Sequence, residues 1–276
     1  MSVGFSYPLT SDELARTTPA ASYAIRIEIG GVAETVPFPA SGTLTAGRYF
    51  WTQGDRLLDA DGGVGGVGCL LGMLETALNA HSSTAVVSIT RGADGRWTIA
   101  CTTNFRVLWA NAATTIDARA FGFTQVDPGA AAAAFLAPAL PRGLWAPAGV
   151  WPRFDSRSIA ARRAGTAVSL SGRVRTATWA SGRARRRLRF ARVLNAFALT
   201  EYAGAGAPFG TLEHVWDALS RGRPVRYMED VAVPNAYSLW ASETPLERRE
   251  DWIRRDELAP QVRCETGDLE LVQVTA

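Results

Sequence analysis

The stretch that most constrains the fold runs from Thr176 to Glu229 and reads as strand, turn, strand, helix and strand. Ser181-Gly182 is a tight-turn pair between two extended runs, a combination typical of a β-hairpin. Thr211 and Gly222 then bracket a short helix with apolar residues at helical spacing, and the run that starts at Pro224 returns as a strand. A unit of this kind predicts an α+β protein in which strands dominate.

The first half of the chain contains the same mixture of elements. Tyr23 to Ile29 alternates apolar and polar residues, which predicts a half-buried strand. Ala93-Asp94-Gly95 separates two extended runs, Ala85 to Thr90 and Arg96 to Thr102, and therefore predicts a hairpin. A helix that starts near Val67 is predicted by a stripe of apolar residues, namely Leu70, Leu71, Leu74 and Leu78.

A change in composition divides the chain. Residues 128–152 are rich in Ala, Pro and Gly, poor in charge, and contain Trp145 and Trp151. We interpret this segment as a linker or arm that packs on a surface. It joins two predicted β-rich domains, residues 1–127 and 153–276, each with one or two short helices. The second domain is expected to close with a hairpin whose strands are Gln261 to Glu265 and Leu269 to Val274.

Composition narrows the class of protein. The net charge is only +3, and all 29 basic residues are Arg, so the charge argues against a dedicated nucleic-acid binder. Three cysteines without a CxxC spacing indicate neither a disulfide framework nor a zinc site. The N-terminal residues lack the features of a signal peptide. The longest apolar run, Ala130 to Leu140, is too short to span a membrane. We expect a protein that is made and folded in the cytoplasm.

Candidate catalytic patterns are weak. Gly63 to Gly68 fits GxGxxG, but no strand leads into it and no acid ends the next strand, so a flexible loop is favoured over a dinucleotide site. Asp59 to Gly62 lacks the closing Glu of a calcium loop. His81 is expected to complement a helix dipole, and His214 to be solvated. Carboxylates alternate with arginines between Glu243 and Glu257, as on a solvated helix. We predict no catalytic residue, cofactor or metal.

The strongest charge feature is a run of arginines within Arg183 to Tyr202, which is predicted as an extended segment with a bulge near Leu194-Asn195. On a strand, alternate residues project to one face, and three of them are arginines. A solvated sheet face, a contact with an acidic neighbouring subunit and a contact with nucleic acid all remain open. As a predicted partner interface we take Arg185, Arg187, Arg189, Trp145 and Trp151.

Two stretches resemble structural proteins of tailed bacteriophages. Leu70 to Phe123 combines the helical segment GMLETALNA with VVSITRGADGRWTIACTTNFRVLW and a terminal Gly-Phe pair. The second stretch runs from RRRLRFARVLNAFALTEY through TLEHVWDALSRGRPVRYMED to DLELVQV, and it resembles the distal-tail and baseplate class. The resemblance implies a virion tail component without enzymatic activity. Such a subunit assembles in the host cytoplasm, as a ring of its own copies bound to neighbouring tail and baseplate proteins.

Two other functions stay open at this point. Exposed Trp residues in a groove are typical of a carbohydrate-binding or cell-surface-binding module, such as a fibre adaptor. The carboxylates between Glu243 and Glu257 leave a hydrolase as the second alternative, since glycosidases use a pair of carboxylates.

Overall fold

Strands dominate the structure. A computed structural model of the chain describes residues 3–16, 23–40, 48–50, 67–92, 96–147, 150–159, 164–168, 174–178, 184–200, 209–230, 237–242, 253–255 and 263–274. Over these residues the strands form five sheets and the helices are short. The expected strand-dominated α+β class is therefore confirmed.

The described elements alternate many short strands with a few helices. The strands are β1 (Gly4–Ser6), β2 (Leu9–Thr10), β3 (Ala24–Ile29), β4 (Val32–Pro37), β5 (Arg48–Phe50), β6 (Val67–Cys69), β7 (Val87–Arg91), β8 (Trp97–Val107), β9 (Ala132–Leu136), β10 (Leu144–Trp145), β11 (Pro152–Ile159), β12 (Ala164–Val168), β13 (Val174–Thr178), β14 (Ala184–Phe190), β15 (Val193–Leu194), β16 (Val225–Met228), β17 (Tyr237–Ser242), β18 (Ile253–Arg255), β19 (Arg263–Thr266) and β20 (Leu269–Gln273). The helices are α1 (Ser11–Leu14), α2 (Leu70–Leu78), α3 (Asn195–Ala198) and α4 (Leu212–Ser220), with a 3₁₀ turn at Ala118–Phe121.

A five-stranded sheet is built from the first half of the chain. Its order is β4-β3-β8-β7, and β9 pairs with β8 as well. Gly30 and Gly31 make the β3–β4 turn with φ of 57° and 84°, a conformation that glycine adopts without steric cost. The predicted β7–β8 pairing is confirmed. Helix α2 is fixed on β7 because the Asn79 side chain bonds both the N–H and the carbonyl of Val87.

A seven-stranded sheet joins the two ends of the chain. Its order is β10-β1-β16-β17-β20-β14-β11. Phe5 on β1 lies opposite Trp145 on one side and opposite Tyr227 on the other. This sheet takes strands from both sides of the predicted domain boundary, and β9 and β10 lie inside the segment expected to be a linker. The division into two domains stays a prediction.

Two strand predictions are wrong, one in where the strand ends and the other in which strands pair. The extended run predicted through Tyr202 ends at Phe190, because Arg192 takes a left-handed conformation with φ of 60° and α3 follows as a helical turn. The predicted C-terminal hairpin does not form. Strand β19 pairs with β15 and β18, whereas β20 pairs with β14 and β17. Neighbouring strands in the sequence thus enter different sheets.

Several predicted boundaries also shift. From the sequence, Ser11 is expected to cap a helical turn, whereas Thr10 is the cap, through a capping box with Glu13, and Ser11 is the first helical residue. Helix α2 begins at Leu70, after the short strand β6. Strand β18 occupies part of the charged region that was expected to be helical. No helix among the described residues is long and apolar enough to cross a membrane.

Candidate functional site

The predicted arginine ladder lies on β14. Residues of this strand alternate between buried and exposed, and Arg185, Arg187 and Arg189 are on the exposed side. Arg189 Nε donates to Asp268 Oδ1 at 2.7 Å, and Arg187 also bonds Asp268 and lies 3.8 Å from Glu270. Acids of the same chain therefore offset the repulsion between the arginines. The ladder is an ordered, mixed-charge face.

Arg186, on the opposite face of β14, was not singled out by sequence reasoning. Its side chain is 7% exposed, and the guanidinium donates to Asp155 through two hydrogen bonds of 2.9 Å and 2.5 Å. It also bonds Glu229 at 2.9 Å and lies 4.2 Å above the ring of Tyr227. The sequence did indicate that Arg186 faces the core, because the two-residue period of a strand places it on the same side as Leu188.

The two predicted interface tryptophans have different environments. Trp145 is fully buried between Phe5 and Phe190, and its indole N–H donates to the carbonyl of Phe197 at 2.9 Å. Its side chain contributes to the core of the chain and has no surface to offer to a partner. Trp151 is 48% exposed and directly precedes β11. Of the two, Trp151 is the one accessible to a partner.

Two further described strands, β12 and β13, lie between β11 and β14 in the sequence. Strands β11 and β14 pair in antiparallel fashion up to Ile159 opposite Ala184. Strands β12 and β13 pair between these two in the sequence, with Ala164 opposite Thr178. They form a two-stranded sheet of their own. We call this pair of strands, residues 164–168 and 174–178, the outer hairpin.

An apolar groove lies beside the five-stranded sheet. It has a volume of about 200 Å³. Aromatic rings form its floor: Phe105 meets Phe135 edge to face at 5.3 Å, and Trp109 stacks on Phe123 at 5.5 Å. Two aliphatic residues that also line it are largely exposed, namely Val126 (64%) and Leu136 (52%). Exposed apolar surface of this kind is typical of contact sites.

The two histidines are both more buried than the sequence implied. His81 is 8% exposed, and neither ring nitrogen has a hydrogen-bond partner among the described residues. His214 was expected to be solvated, which is wrong. Its ring stacks on Tyr7 with 5.8 Å between centroids, and Nδ1 accepts from the backbone N–H of Thr211 at 3.2 Å. Burial, assisted by the charge of Arg142, lowers the pKa of His214 to about 4.

The low pKa of His214 predicts a stability that falls with acid. Because the unfolded chain takes up this proton near pH 6.5 and the folded chain only near pH 4, stability is full above the first value and declines towards the second. The loss is about 3 kcal/mol at most. We expect His214→Gln, which keeps a capping-box residue at this position, to remove this part of the pH dependence. Urea denaturation at several pH values gives the free energy of unfolding of the wild type and of the variant. If this free energy depends on pH equally in both proteins, His214 is not the source of the pH dependence.

Several candidate motifs lie outside the described residues. These are the loop Asp59 to Gly62, the first four residues of the GxGxxG pattern, and residues 243–252 and 256–257 of the acidic region. In the part of the chain that the structure describes, no group of three or more His, Cys, Asp or Glu is arranged to hold a metal ion. Cys101 and Cys264 are buried free thiols, and burial raises the pKa of Cys264 to about 11.

No protein-family model matches the chain, and no curated protein matches it with significant similarity.

Proposed function

We propose that the chain is a structural subunit of a phage tail, of the distal-tail or baseplate type. It assembles into a ring of its own copies and binds neighbouring tail proteins. The single observation that carries the proposal is the outer hairpin, which forms a two-stranded sheet among the residues that the structure describes. The resemblance of Leu70 to Phe123 and of the Arg-rich second stretch to tail proteins supports the assignment to a phage.

The outer hairpin favours assembly on physical grounds. A two-stranded ribbon is marginally stable in water by itself, and its edges present unpaired N–H and C=O groups that bind a further strand. The hairpin continues from β11, which is the last strand of the seven-stranded sheet. A neighbouring copy that adds a strand at this place stabilises the hairpin and the ring together.

Exposed side chains near this edge suit the same role. Trp151 is 48% exposed at the start of β11, and large aromatic residues contribute strongly to contacts between proteins. The exposed face of β14 presents Arg185, Arg187 and Arg189, with Asp268 and Glu270 beside the last two. This face is proposed to meet an acidic surface on a neighbouring subunit, since arginine is favoured at interfaces.

Shortening the hairpin tests the proposal. Ile159 and Ala184 are direct partners in the ladder, so a two-residue Asn-Gly turn between them replaces residues 160–183 with a favoured hairpin connection. Light scattering over a range of concentrations, with negative-stain imaging, is expected to give a fixed multiple of 29.6 kDa for the intact chain. The shortened chain is expected to stay monomeric with an unchanged unfolding midpoint.

Two results contradict self-assembly. One is an intact chain that stays monomeric at every concentration, and the other is a shortened chain that assembles like the intact one. Saturable binding of glycans by a monomeric intact chain would instead favour the carbohydrate-binding module. Nucleic-acid binding would be recognised by an affinity that falls steeply with salt.

A further inference from the structure

The apolar groove beside the five-stranded sheet has an open strand edge next to it. Strand β9 contributes Phe135 and Leu136 to the lining of the groove, and it reads Ala-Ala-Ala-Phe-Leu, without a charged residue. It pairs with β8 and with no other strand among the described residues. Edge strands of soluble proteins usually carry charged residues or Pro that prevent further pairing. An apolar edge without these features is typical of a contact surface.

The groove is large enough for one aromatic side chain. Its volume is about 200 Å³, whereas an apolar cavity of about 150 Å³ already takes up a benzene ring. Val126 and Leu136, which line it, are more than half exposed. An aromatic ring placed in the groove would therefore cover these two aliphatic side chains and remove their apolar surface from water.

Trp151 is the large aromatic side chain that the chain itself offers. Among the described residues it is the only aromatic side chain that is exposed. It precedes β11, the last strand of the seven-stranded sheet, and it does not line the groove of its own copy. An inserting group and a receiving groove on different parts of one subunit form a contact between unlike surfaces. Such a contact generates a ring when the rotation between copies closes.

The groove has a negative charge in its lining. Asp127 is the one charged residue among those that line it. The nearby guanidinium of Arg106 is shared with Glu28, to which it donates at 2.9 Å. These three groups together have a surplus of one negative charge. The groove therefore favours an occupant that has a positive charge beside its apolar part.

Trp151 has such a positive charge beside it. Arg153 follows two residues later, and its side chain is 67% exposed. Its ion pair with Glu265, at 3.2 Å, is on the surface and therefore contributes little. Trp151 and Arg153 thus match the groove in two respects, with an aromatic ring for the apolar lining and a guanidinium for Asp127.

We propose that the groove receives Trp151 of the next copy of the chain, with Arg153 of that copy against Asp127. This inference rests on the proposed self-assembly and names the surface with which the neighbouring copy meets the start of β11. Each copy gives one Trp151 and receives one in its groove. Repetition of this single contact from copy to copy builds the ring.

Two variants remove the two halves of the contact. Trp151→Ala removes the inserted ring, and Val126→Arg blocks the groove and opposes the charge of Arg153. Each is expected to weaken association at least tenfold in sedimentation equilibrium, with an unchanged unfolding midpoint because both side chains are exposed. Val32→Arg is the matched control, since Val32 is 70% exposed and does not line the groove. It is expected to assemble like the wild type.

Mixing the two variants tests which surfaces meet. Trp151→Ala keeps an open groove, and Val126→Arg keeps the tryptophan. The mixture is therefore expected to form a one-to-one complex of twice 29.6 kDa, at concentrations at which each variant alone is monomeric. No larger species is expected, because the complex has no further pair of a free Trp151 and an open groove.

Failure of this contact can be told apart from failure of the proposed assembly. The contact is overturned when the intact chain assembles and both Trp151→Ala and Val126→Arg assemble equally well, and the proposed assembly then stands. It is also overturned when the mixture of the two variants stays monomeric. An intact chain that is monomeric at every concentration overturns the proposed assembly and this contact together.

Discussion

Replacing Trp145 with Ala is expected to lower the free energy of unfolding by about 3–5 kcal/mol. The side chain is fully buried, and its ring centroid lies 5.9 Å from that of Phe5 and 5.1 Å from that of Phe190. The substitution leaves a cavity among these rings and removes the hydrogen bond to the Phe197 carbonyl. Because Trp145 joins β1, β14 and α3, the whole seven-stranded sheet loses support.

Trp151→Ala is the matched control in the same predicted linker. This side chain is 48% exposed, so its removal is expected to cost less than about 1 kcal/mol. Chemical denaturation followed by fluorescence and by circular dichroism measures both variants. Similar losses for the two substitutions would contradict the distinction between a core residue and a surface residue. For association the proposed assembly predicts the opposite order. Trp151→Ala is expected to weaken assembly more than Trp145→Ala does.

Sequence periodicity predicted the longer strands well. Ile25, Ile27 and Ile29 point to the core, because one buried face imposes a period of two. The same rule placed Arg185, Arg187 and Arg189 on the exposed face of β14. These predictions succeed because they depend on local geometry and on burial of a single face.

The short strands and the pairings were not predictable in the same way. Strand β10 has two residues, too few for a pattern, and Trp145 is buried by residues of β1 and β14 that are far away in the sequence. Strands β19 and β20 read as a hairpin but pair elsewhere. Which strands pair is decided by long-range contacts that no local pattern contains.

The buried setting of His214 was missed for a related reason. His214 occupies the third position of its helix and completes a capping box with Thr211, which local reasoning interpreted as an exposed helix start. Stacking on Tyr7 depends on a residue more than two hundred positions away. The only local signal was the Thr-x-x-His spacing at the helix start.

Asp155→Ala is expected to lower the free energy of unfolding by about 3 kcal/mol, because it removes the main partner of a buried charge. Arg186 is 7% exposed and donates to both carboxylate oxygens of Asp155. Its remaining acid, Glu229, is 67% exposed and screened by water. The comparison is Asp268→Ala, which removes the acid that binds Arg187 and Arg189 on the other face of β14. These arginines are about half exposed, and the loss is expected to be about 1 kcal/mol or less.

A double variant separates the cost of an unpaired charge from lost packing. In Arg186→Met with Asp155→Ala the buried charge is gone and an unbranched apolar chain fills its space. We expect this protein to recover at least half of the stability lost in Asp155→Ala alone, since replacing both partners of a buried pair is often neutral. Thermal and urea denaturation of the wild type, Asp155→Ala, Arg186→Met and the double variant completes a double-mutant cycle. A double variant no more stable than Asp155→Ala would show that Asp155 acts through contacts other than its pair with Arg186.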